Sequence, residues 1–357
     1  MDDQAKKTGK QVAWSTIAIA LLIFVAAYFI MVGILVVSSP TLAGKVDQNR
    51  LIQKTVALVP YPAAMVGGKT ISDKKLFGEL ASVRRFYENQ DFSKLGMRVD
   101  FSTEDGKKRL EINGRKILNK LIDDAIIQAE ARKRGIVLSS EMINQEVDRM
   151  LKEYGTGDSL KDNLEKLYGW NVEDFKENIV KSDLYTEKLI GYMQEKDPAF
   201  VAVKDKVVKA QNDLKDGMSF SEAVKKYSEG ESAKDSGELG WFSADQMLPE
   251  VAVAVFPLPV GQQSEIIRSS IGYHIVKVED KKTENDVTKV KVSQIFVRTQ
   301  PFSDWLKAAE KNYRVTVFLR EFRWNNDTQA VEFRAGDMQK YEKDMENNPS
   351  SDPSIIF

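Results

Sequence analysis

The chain has 357 residues, of which 42% are hydrophobic and 29% charged, a composition that suits a folded protein of about two domains with additional segments. Its formal net charge of −1 gives no general attraction to nucleic acid, so we expect no nucleic-acid partner. The chain contains no cysteine and one histidine, which excludes disulfides, thiol nucleophiles and a transition-metal cluster. We expect no metal and no other cofactor.

An uncharged and almost wholly apolar run follows a short polar tail at residues 1–13. It covers residues 14–37, and about 20 helical residues suffice to span the core of a bilayer. We therefore predict a transmembrane helix that binds membrane lipid, followed by a proline-containing linker at residues 38–63. A cleaved signal peptide is the alternative, but its apolar core would be shorter, at about 7–15 residues.

A domain over residues 64–195 is predicted to begin with a β-hairpin. Gly67 and Gly68 separate two short apolar pieces, a pattern that is typical of a tight turn between strands. Ser72 is then placed to cap a helix over residues 73–89.

The rest of this domain is predicted to be helical. Apolar residues recur at three- and four-residue steps, which indicates a long amphipathic helix, and Gly135 is placed to end it. A second helix is expected from Ser140, and Asn171 is placed to cap a later one. The predicted stripe of the long helix is Leu110, Ile117, Leu118, Leu121, Ile122, Ala125, Ile126 and Ala129.

Three pieces of this region resemble the amino-terminal chaperone domain of the SurA-like and PrsA-like foldases. They are the hairpin at 65–72, the stretch LNKLIDDAIIQAEARKRGI at 118–136, and Leu167-Tyr168-Gly169-Trp170. The resemblance implies an all-α domain whose apolar residues hold unfolded polypeptides. The residues by themselves are also compatible with a helical spacer that binds no client.

The segment from Tyr227 to Val278 carries the most specific signal, because many separate residues match one family in the correct order. It begins with a Ser/Gly-rich loop and closes on a strand that contains His274, the single histidine. The segment resembles a parvulin, a PpiC-like peptidyl-prolyl cis/trans isomerase domain. The matching residues are Ser232-Ala233-Lys234, Gly237 to Phe242, Gln246-Met247, Pro249, Phe256-Pro257-Leu258, Gly261 and Gly272-Tyr273-His274-Ile275.

We predict a parvulin-like domain over residues 196–324, with its first strand moved to residues 289–299. Parvulins usually open on a strand of the form Ser-His-Ile-Leu-Val, and the similar segment here follows the motif instead of preceding it. The resemblance implies that the first and last strands are antiparallel neighbours. A hairpin can therefore join them and preserve a four-stranded antiparallel sheet in a circularly permuted order. The alternative is that Ser293 begins a second, degenerate parvulin, but too little chain follows it.

The resemblance also assigns the site. Met247 and Phe256 match the residues that line the pocket for the proline ring, and we expect them to bind substrate. His274 and Ser269 match members of a polar network beneath that pocket. Gln294 replaces a further histidine of the network, and we expect these three residues to be catalytic.

Gly230 falls where parvulins have Cys or Asp, so one side chain of the network is missing. A flanking glutamate, Glu229 or Glu231, is the candidate to replace it. Without the family motif, a lone inward-facing histidine beside Val276 is usually a hydrogen-bonded core residue.

Residues 314–324 alternate like a strand, which we expect to extend the parvulin sheet. Residues 325–357 are predicted to form a polar, flexible tail.

Together these expectations describe an α+β protein of the bacterial cytoplasmic membrane. It has a single transmembrane span, with the bulk of the chain on the extracytoplasmic side. Its expected function is that of a foldase, a peptidyl-prolyl isomerase and chaperone whose partners are unfolded or exported polypeptides with X–Pro bonds. A non-catalytic holdase of parvulin fold is the first alternative, and a membrane-anchored scaffold without clients is the second.

Overall fold

The structure, a computed structural model, describes residues 27, 30–31, 61–89, 100–154, 161–269, 271–284 and 287–347. In this part of the chain no helix is long and apolar enough to cross a bilayer. The tail predicted at 1–13, the transmembrane helix predicted at 14–37 and most of the linker at 38–63 lie outside the described residues. The chain divides into two compact units: residues 1–185 together with 309–357 form the first, and residues 186–308 the second.

The first unit begins with the predicted hairpin. Strands β1 (Pro62–Val66) and β2 (Lys69–Ser72) pair antiparallel, with Val66 opposite Lys69. Helix α1 (Asp73–Asn89) follows at once, and the hydroxyl of Ser72 accepts a hydrogen bond from the backbone N–H of Lys75 at 3.3 Å. The predicted hairpin and helix are confirmed.

Helix α2 (Glu104–Lys133) supplies the core of the first unit, and its predicted stripe is buried apart from Ala129. It ends in a Schellman motif: the N–H of Ile136 donates to the carbonyl of Ala131, and the N–H of Gly135 to that of Arg132, both at 3.0 Å. Gly135 has the positive φ of 76° that this motif requires, so the predicted stop is confirmed.

The remaining helices of this region run as α3 (Ser140–Tyr154), a π-helical turn (Leu164–Tyr168), α4 (Val172–Phe175), a second π-helical turn (Lys176–Val180) and α5 (Lys181–Lys196). Asn171 caps α4 as predicted, because its side chain accepts from the N–H of Asp174 at 3.0 Å while the Asp174 carboxylate accepts from the N–H of Asn171. Ile143 and Val147 of α3 are buried in one cluster with Val180 and Leu184.

The carboxy-terminal part of the chain belongs to this first unit, which corrects two predictions. Its elements are β7 (Val315–Val317), β8 (Phe322–Asn325), β9 (Ala330–Phe333) and α10 (Gly336–Asn347). β7 pairs with β1 and gives a three-stranded sheet of order β2-β1-β7, so residues 314–324 do not extend the parvulin-like sheet and this unit is not all-α. β8 and β9 form a separate hairpin.

The prediction of a flexible tail is wrong for residues 325–347 and falls outside the described residues for 348–357. The low average hydropathy of this segment hid a few well-spaced apolar residues that are buried, namely Val331, Phe333 and Met338. Polar contacts to α2 hold this segment in place: the side chain of Asn119 accepts from the N–H of Val331 at 2.9 Å.

The second unit is built on a four-stranded antiparallel sheet of order β3-β6-β5-β4. Its strands are β3 (Glu238–Phe242), β4 (Ile267–Arg268), β5 (Gly272–Glu284) and β6 (Val287–Arg298). The long strands β5 and β6 form one hairpin, in which His274 lies opposite Phe296 and Val276 opposite Gln294. The antiparallel four-stranded sheet agrees with the predicted fold class.

Helices cover both faces of this sheet. Helices α6 (Pro198–Lys215) and α7 (Phe220–Tyr227) pack on the face that carries Tyr273 and Ile275. Helix α8 (Pro249–Val255) packs on the opposite face, against Val276 and Val278. Because side chains alternate along a strand, His274 lies on the face that α8 covers. Helix α9 (Phe302–Glu310) follows β6.

Candidate active site

His274 is the buried polar centre of the α8 face, with 4% of its surface exposed. It stands on β5 two residues before Val276, in the register that places both on one side of the sheet. Its ring lies 4.9 Å from that of Phe296, which occupies the opposite position on β6. The prediction that His274 faces inward with Val276 is therefore confirmed.

Hydrogen bonds hold the His274 ring on both sides. Its Nε2 lies 2.8 Å from the hydroxyl of Ser269, and its Nδ1 lies 3.2 Å from Oε1 of Gln294. An amide oxygen can only accept, so in this arrangement Nδ1 carries the proton and donates it to Gln294. Nε2 then accepts from the Ser269 hydroxyl, and the imidazole is neutral.

The environment of His274 favours that neutral form. Burial lowers its pKa below the usual 6.5, and the bond to Gln294 and the charge of Glu250 on α8 oppose this effect only in part. The ring therefore stays uncharged at neutral pH, and its two nitrogens present one donor and one acceptor.

The position of Gln294 depends on a close approach between β6 and the loop before β3. The N–H of Gln294 donates to the carbonyl of Gly237 at 2.9 Å. Gly237 has φ +84°, and a Cβ there would lie 2.6 Å from the carbonyl oxygen of Gln294. Only glycine fits this site without displacement, so Gly237 shapes the site through the backbone.

Met247 and Phe256 both lie at the ends of short helical segments and are half-buried against the apolar cluster under α8. Met247 follows a helical turn at Ala244–Gln246, which Ser243 caps by bonding the Gln246 side chain at 2.9 Å. Phe256 is the C-cap residue of α8, and its carbonyl accepts from the ammonium of Lys281 at 2.6 Å.

The structure thus brings Ser269, His274 and Gln294 into direct contact and places Met247 and Phe256 on the same side of the sheet. In the part of the chain that the structure describes, no group of three His, Cys, Asp or Glu side chains could hold a metal ion. The site offers hydrogen bonds and apolar surface.

Glu229 does not fill the gap that Gly230 leaves. Its carboxylate accepts from the ammonium of Lys206 at 2.6 Å and from the N–H of Arg298 at 2.9 Å. These partners hold the pKa of Glu229 below its usual value although burial alone would raise it. Gly230 itself has ordinary dihedral angles, with φ −74° and ψ 157°, and a Cβ there would touch Phe296 at 3.6 Å.

Sequence reasoning overlooked Phe296 as a member of the site. Its ring packs on His274, and its backbone holds the loop that contains Gly230: its N–H donates to the Ser228 hydroxyl at 3.0 Å, and its carbonyl accepts from the N–H of Glu229 at 2.7 Å. The signal was present, because Phe296 lies two residues after Gln294 on a strand and so shares its face.

Comparison with protein families assigns both parts of the chain. The model of the SurA-like N-terminal domain matches residues 6–190, which is more than half of the chain. The model of the PPIC-type PPIASE domain, of the Rotamase family, matches residues 189–280.

Several bacterial proteins are similar over part of their length. Foldase protein PrsA 2 of Bacillus cereus is 34% identical over 168 residues, which is 43% of this chain and 58% of that protein. Foldase protein PrsA of Geobacillus kaustophilus is 30% identical over 199 residues, 50% of this chain and 66% of that protein. The chain thus spans about three fifths of the length of the curated relatives it matches.

Two solved structures also match, with low overall similarity. The crystal structure of peptidylprolyl isomerase (PrsA) from Bacillus anthracis is 23% identical, with a TM-score of 0.20, and the match covers 55% of this chain and 86% of that one. The Bacillus cereus structure of the same name is 21% identical with a TM-score of 0.21, and covers 68% and 86%. These values add nothing to the family assignment.

Proposed function

We propose that this chain, which belongs to the SurA-like N-terminal domain family and carries a PPIC-type PPIASE domain, is a foldase that isomerises X–Pro bonds in unfolded polypeptides. The observation that carries the proposal is the hydrogen-bonded series Ser269–His274–Gln294 on the sheet face that α8 covers. Met247 and Phe256 supply apolar surface on the same face.

The reaction requires positioning rather than covalent chemistry. Rotation about the X–Pro amide has a barrier of about 18–20 kcal/mol because the twisted amide loses its resonance. Met247 and Phe256 hold the proline ring away from water. The neutral His274, fixed on both sides, presents oriented dipoles to the rotating amide, and such preorganised groups favour the twisted state over the planar one.

The test is cis/trans exchange in a short X–Pro peptide, followed by NMR with the full chain in detergent micelles. Met247→Ala is expected to lower kcat/KM by about tenfold, since one apolar contact in a pocket contributes about that much. Val253→Ala is the matched control, because Val253 lies on α8 with 77% of its surface exposed. Equal activity of the two variants would refute the proposed position of the pocket.

A non-catalytic holdase is the second candidate, and Gly230 favours it because no side chain there can join His274. The same experiment separates the two functions. If the wild-type chain binds the peptide without accelerating exchange, and Met247→Ala abolishes that binding, the domain is a binding platform and the isomerase is excluded.

The proposed domain is circularly permuted. One observation favours this proposal: β6 lies beside β5, the strand on which the family match ends, as expected for a displaced first strand. A rearranged gene that places residues 287–299 ahead of α6 should fold and isomerise the same peptide. Loss of the fold in that rearrangement would count against the permutation.

The proposed location is the bacterial cytoplasmic membrane, with residues 14–37 as anchor and both units on the extracytoplasmic side, where exported polypeptides arrive unfolded. The uncharged apolar run supports the anchor. Digestion of intact spheroplasts with protease tests the orientation, because a cytoplasmic body would remain protected.

A further inference from the structure

The first unit contains a cavity of about 680 Å³ between α1, α2 and the two π-helical turns. Ligand pockets typically measure about 300–1,000 Å³. One wall of the cavity is a stack of three aromatic rings: Phe86 on Tyr168 at 5.2 Å and 14°, and Tyr168 on Trp170 at 5.3 Å and 27°.

Hydrogen bonds from side chains of α1 to a backbone carbonyl hold the segment that carries Tyr168 and Trp170. The carbonyl of Lys166, in the first π-helical turn, accepts from Arg85 Nε and from Asn89 Nδ2, each at 3.2 Å. Glycine at 169, with φ 70°, turns the chain so that Tyr168 and Trp170 lie on the same side. π-Helical turns are rare in proteins and are frequent at functional sites.

Two polar atoms at the cavity lack partners. Oε1 of Glu79 and Nδ2 of Asn113 are buried, and neither has a hydrogen-bond partner among the residues that the structure describes. Glu79 is 9% exposed, and burial raises the pKa of its carboxyl group above the usual 4.5. A buried acceptor and a buried donor without partners destabilise a fold, so their presence at one apolar cavity points to a ligand that satisfies both.

We propose that this cavity binds an extended, apolar segment of a non-native polypeptide. An aromatic or aliphatic side chain packs on the stack of Phe86, Tyr168 and Trp170. A peptide N–H of the segment donates to Oε1 of Glu79, and a peptide carbonyl accepts from Nδ2 of Asn113. The proposal extends the chaperone part of the proposed function and is independent of isomerisation.

The charges at the cavity distinguish a peptide from a cation. A carboxylate beside aromatic rings could also attract a lysine or arginine side chain. Here Lys116 and Lys120 line the same cavity, and the charge of Lys120 already acts on Glu79. A second cation would be repelled, whereas a neutral peptide group supplies the missing donor and the missing acceptor together.

The test uses the full chain in detergent micelles and a proline-free peptide, acetyl-Ala-Ser-Ala-Phe-Ala-Ser-Ala-amide, measured by calorimetry. Two N-methylated versions of this peptide, called the twins, are compared with the parent. One is methylated on the phenylalanine nitrogen and the other on the next alanine nitrogen. One twin is expected to bind the wild-type chain about tenfold more weakly, since it has lost a hydrogen bond to a charged group. Glu79→Leu should bind that twin and the parent equally.

Glu88→Leu, on the exposed side of α1, is the matched control and should keep the tenfold difference. Because Glu79→Leu removes a buried polar atom without a partner, it should fold at least as stably as the wild type, which circular dichroism checks. Since the peptide contains no proline, an inactive isomerase site would not affect the result.

Equal binding of the parent and both twins by the wild-type chain would overturn the proposal. So would a difference that persists in Glu79→Leu. Tighter binding of a peptide with arginine in place of phenylalanine would assign the cavity to cationic ligands instead. Self-association that Glu79→Leu abolishes, without peptide binding, would assign it to a second copy of the chain.

Discussion

Replacing Gln294 by leucine isolates the bond that fixes the tautomer of His274. Leucine has nearly the volume of glutamine, so the packing of β6 changes little. The Nδ1–H of His274 loses its acceptor at 3.2 Å, and with 4% of the histidine exposed, water cannot replace it. Whether Nδ1 keeps its proton or loses it to Nε2, it becomes a buried polar atom without a partner, which costs about 1–3 kcal/mol, so the second unit should lose roughly 2 kcal/mol of unfolding free energy.

The tautomer can be measured directly, because His274 is the single histidine of the chain. In the wild-type protein, the long-range ¹H–¹⁵N spectrum should contain one imidazole with its proton on Nδ1. In Gln294→Leu the proton should move to Nε2, where the hydroxyl of Ser269 can accept it at 2.8 Å. The proposed isomerase activity should fall with the change of tautomer.

Gln262→Leu serves as the control, since Gln262 is exposed in the same unit and should leave both spectrum and stability unchanged. Urea unfolding gives the free energy, with tryptophan fluorescence as the signal. An Nε2–H tautomer in the wild-type protein would refute the assigned direction of both bonds. An unchanged free energy of unfolding in Gln294→Leu would refute the claim that the bond is sealed from water.

Three further predictions concern other parts of the molecule. Burial raises the pKa of the Glu79 carboxyl group above the usual 4.5. Ionisation of Glu79 therefore destabilises the folded state at pH values above the raised pKa, and has no such effect below pH 4.5, where the group is protonated in both states. Glu79→Gln should raise the melting temperature at pH 7 and leave it unchanged at about pH 3.5. Burial would also raise the pKa of Glu130, but bonds from Lys133, Tyr313 and a neighbouring arginine hold it at about 2. The stability that these bonds contribute is present above pH 4.5 and is lost as the pH falls toward 2. Tyr313→Phe should lower the free energy of unfolding by about 1–2 kcal/mol at pH 7 and by less at low pH. Urea titrations at each pH measure this difference. Gly230→Asp should accelerate prolyl exchange about fivefold, because a carboxylate beside Phe296 adds one hydrogen-bonding group to the network. The dihedral angles of Gly230 and the space around it allow a side chain at this position. Gly230→Ala adds no such group and should not accelerate exchange. An equal effect of the aspartate and alanine variants would contradict that reasoning.

Local signals in the sequence predicted the helical elements well. Caps and turns lie within a few residues of the elements they delimit, so Ser72, Gly135 and Asn171 could be interpreted without knowledge of the fold. Strand alternation likewise places His274 and Val276 on one face, and the hairpin of β5 and β6 brings Gln294 to the same place.

The features that sequence reasoning missed depend on partners far along the chain. β7 has three residues and pairs with β1, and nothing in Val315–Val317 itself indicates that partner. The engagement of Glu229 with Lys206 likewise follows from the packing of α6 beside the sheet. Short strands and single charges carry little information about distant neighbours, which explains why the end of the second unit was misplaced.

That misplacement gives a decisive test of how the chain is divided. A chain that stops after Ala308 loses β7, and with it the hydrogen-bonded neighbour of β1. It also loses Phe322 and Phe333, both at most 1% exposed. Each such side chain contributes about 3–5 kcal/mol, and together they approach or exceed the total stability of about 5–15 kcal/mol that is typical of a domain.

The first unit of the truncated chain should therefore unfold, while the second unit, whose strands all precede residue 299, keeps its sheet and the proposed prolyl isomerase activity. Limited proteolysis followed by mass spectrometry should find cleavage within residues 61–185 and protection within 186–308. A chain that stops after Asn347 is the matched control and should resist cleavage in both regions, because it retains every described element. Protection of residues 61–185 in the shorter chain would mean that the first unit folds without the carboxy-terminal strands.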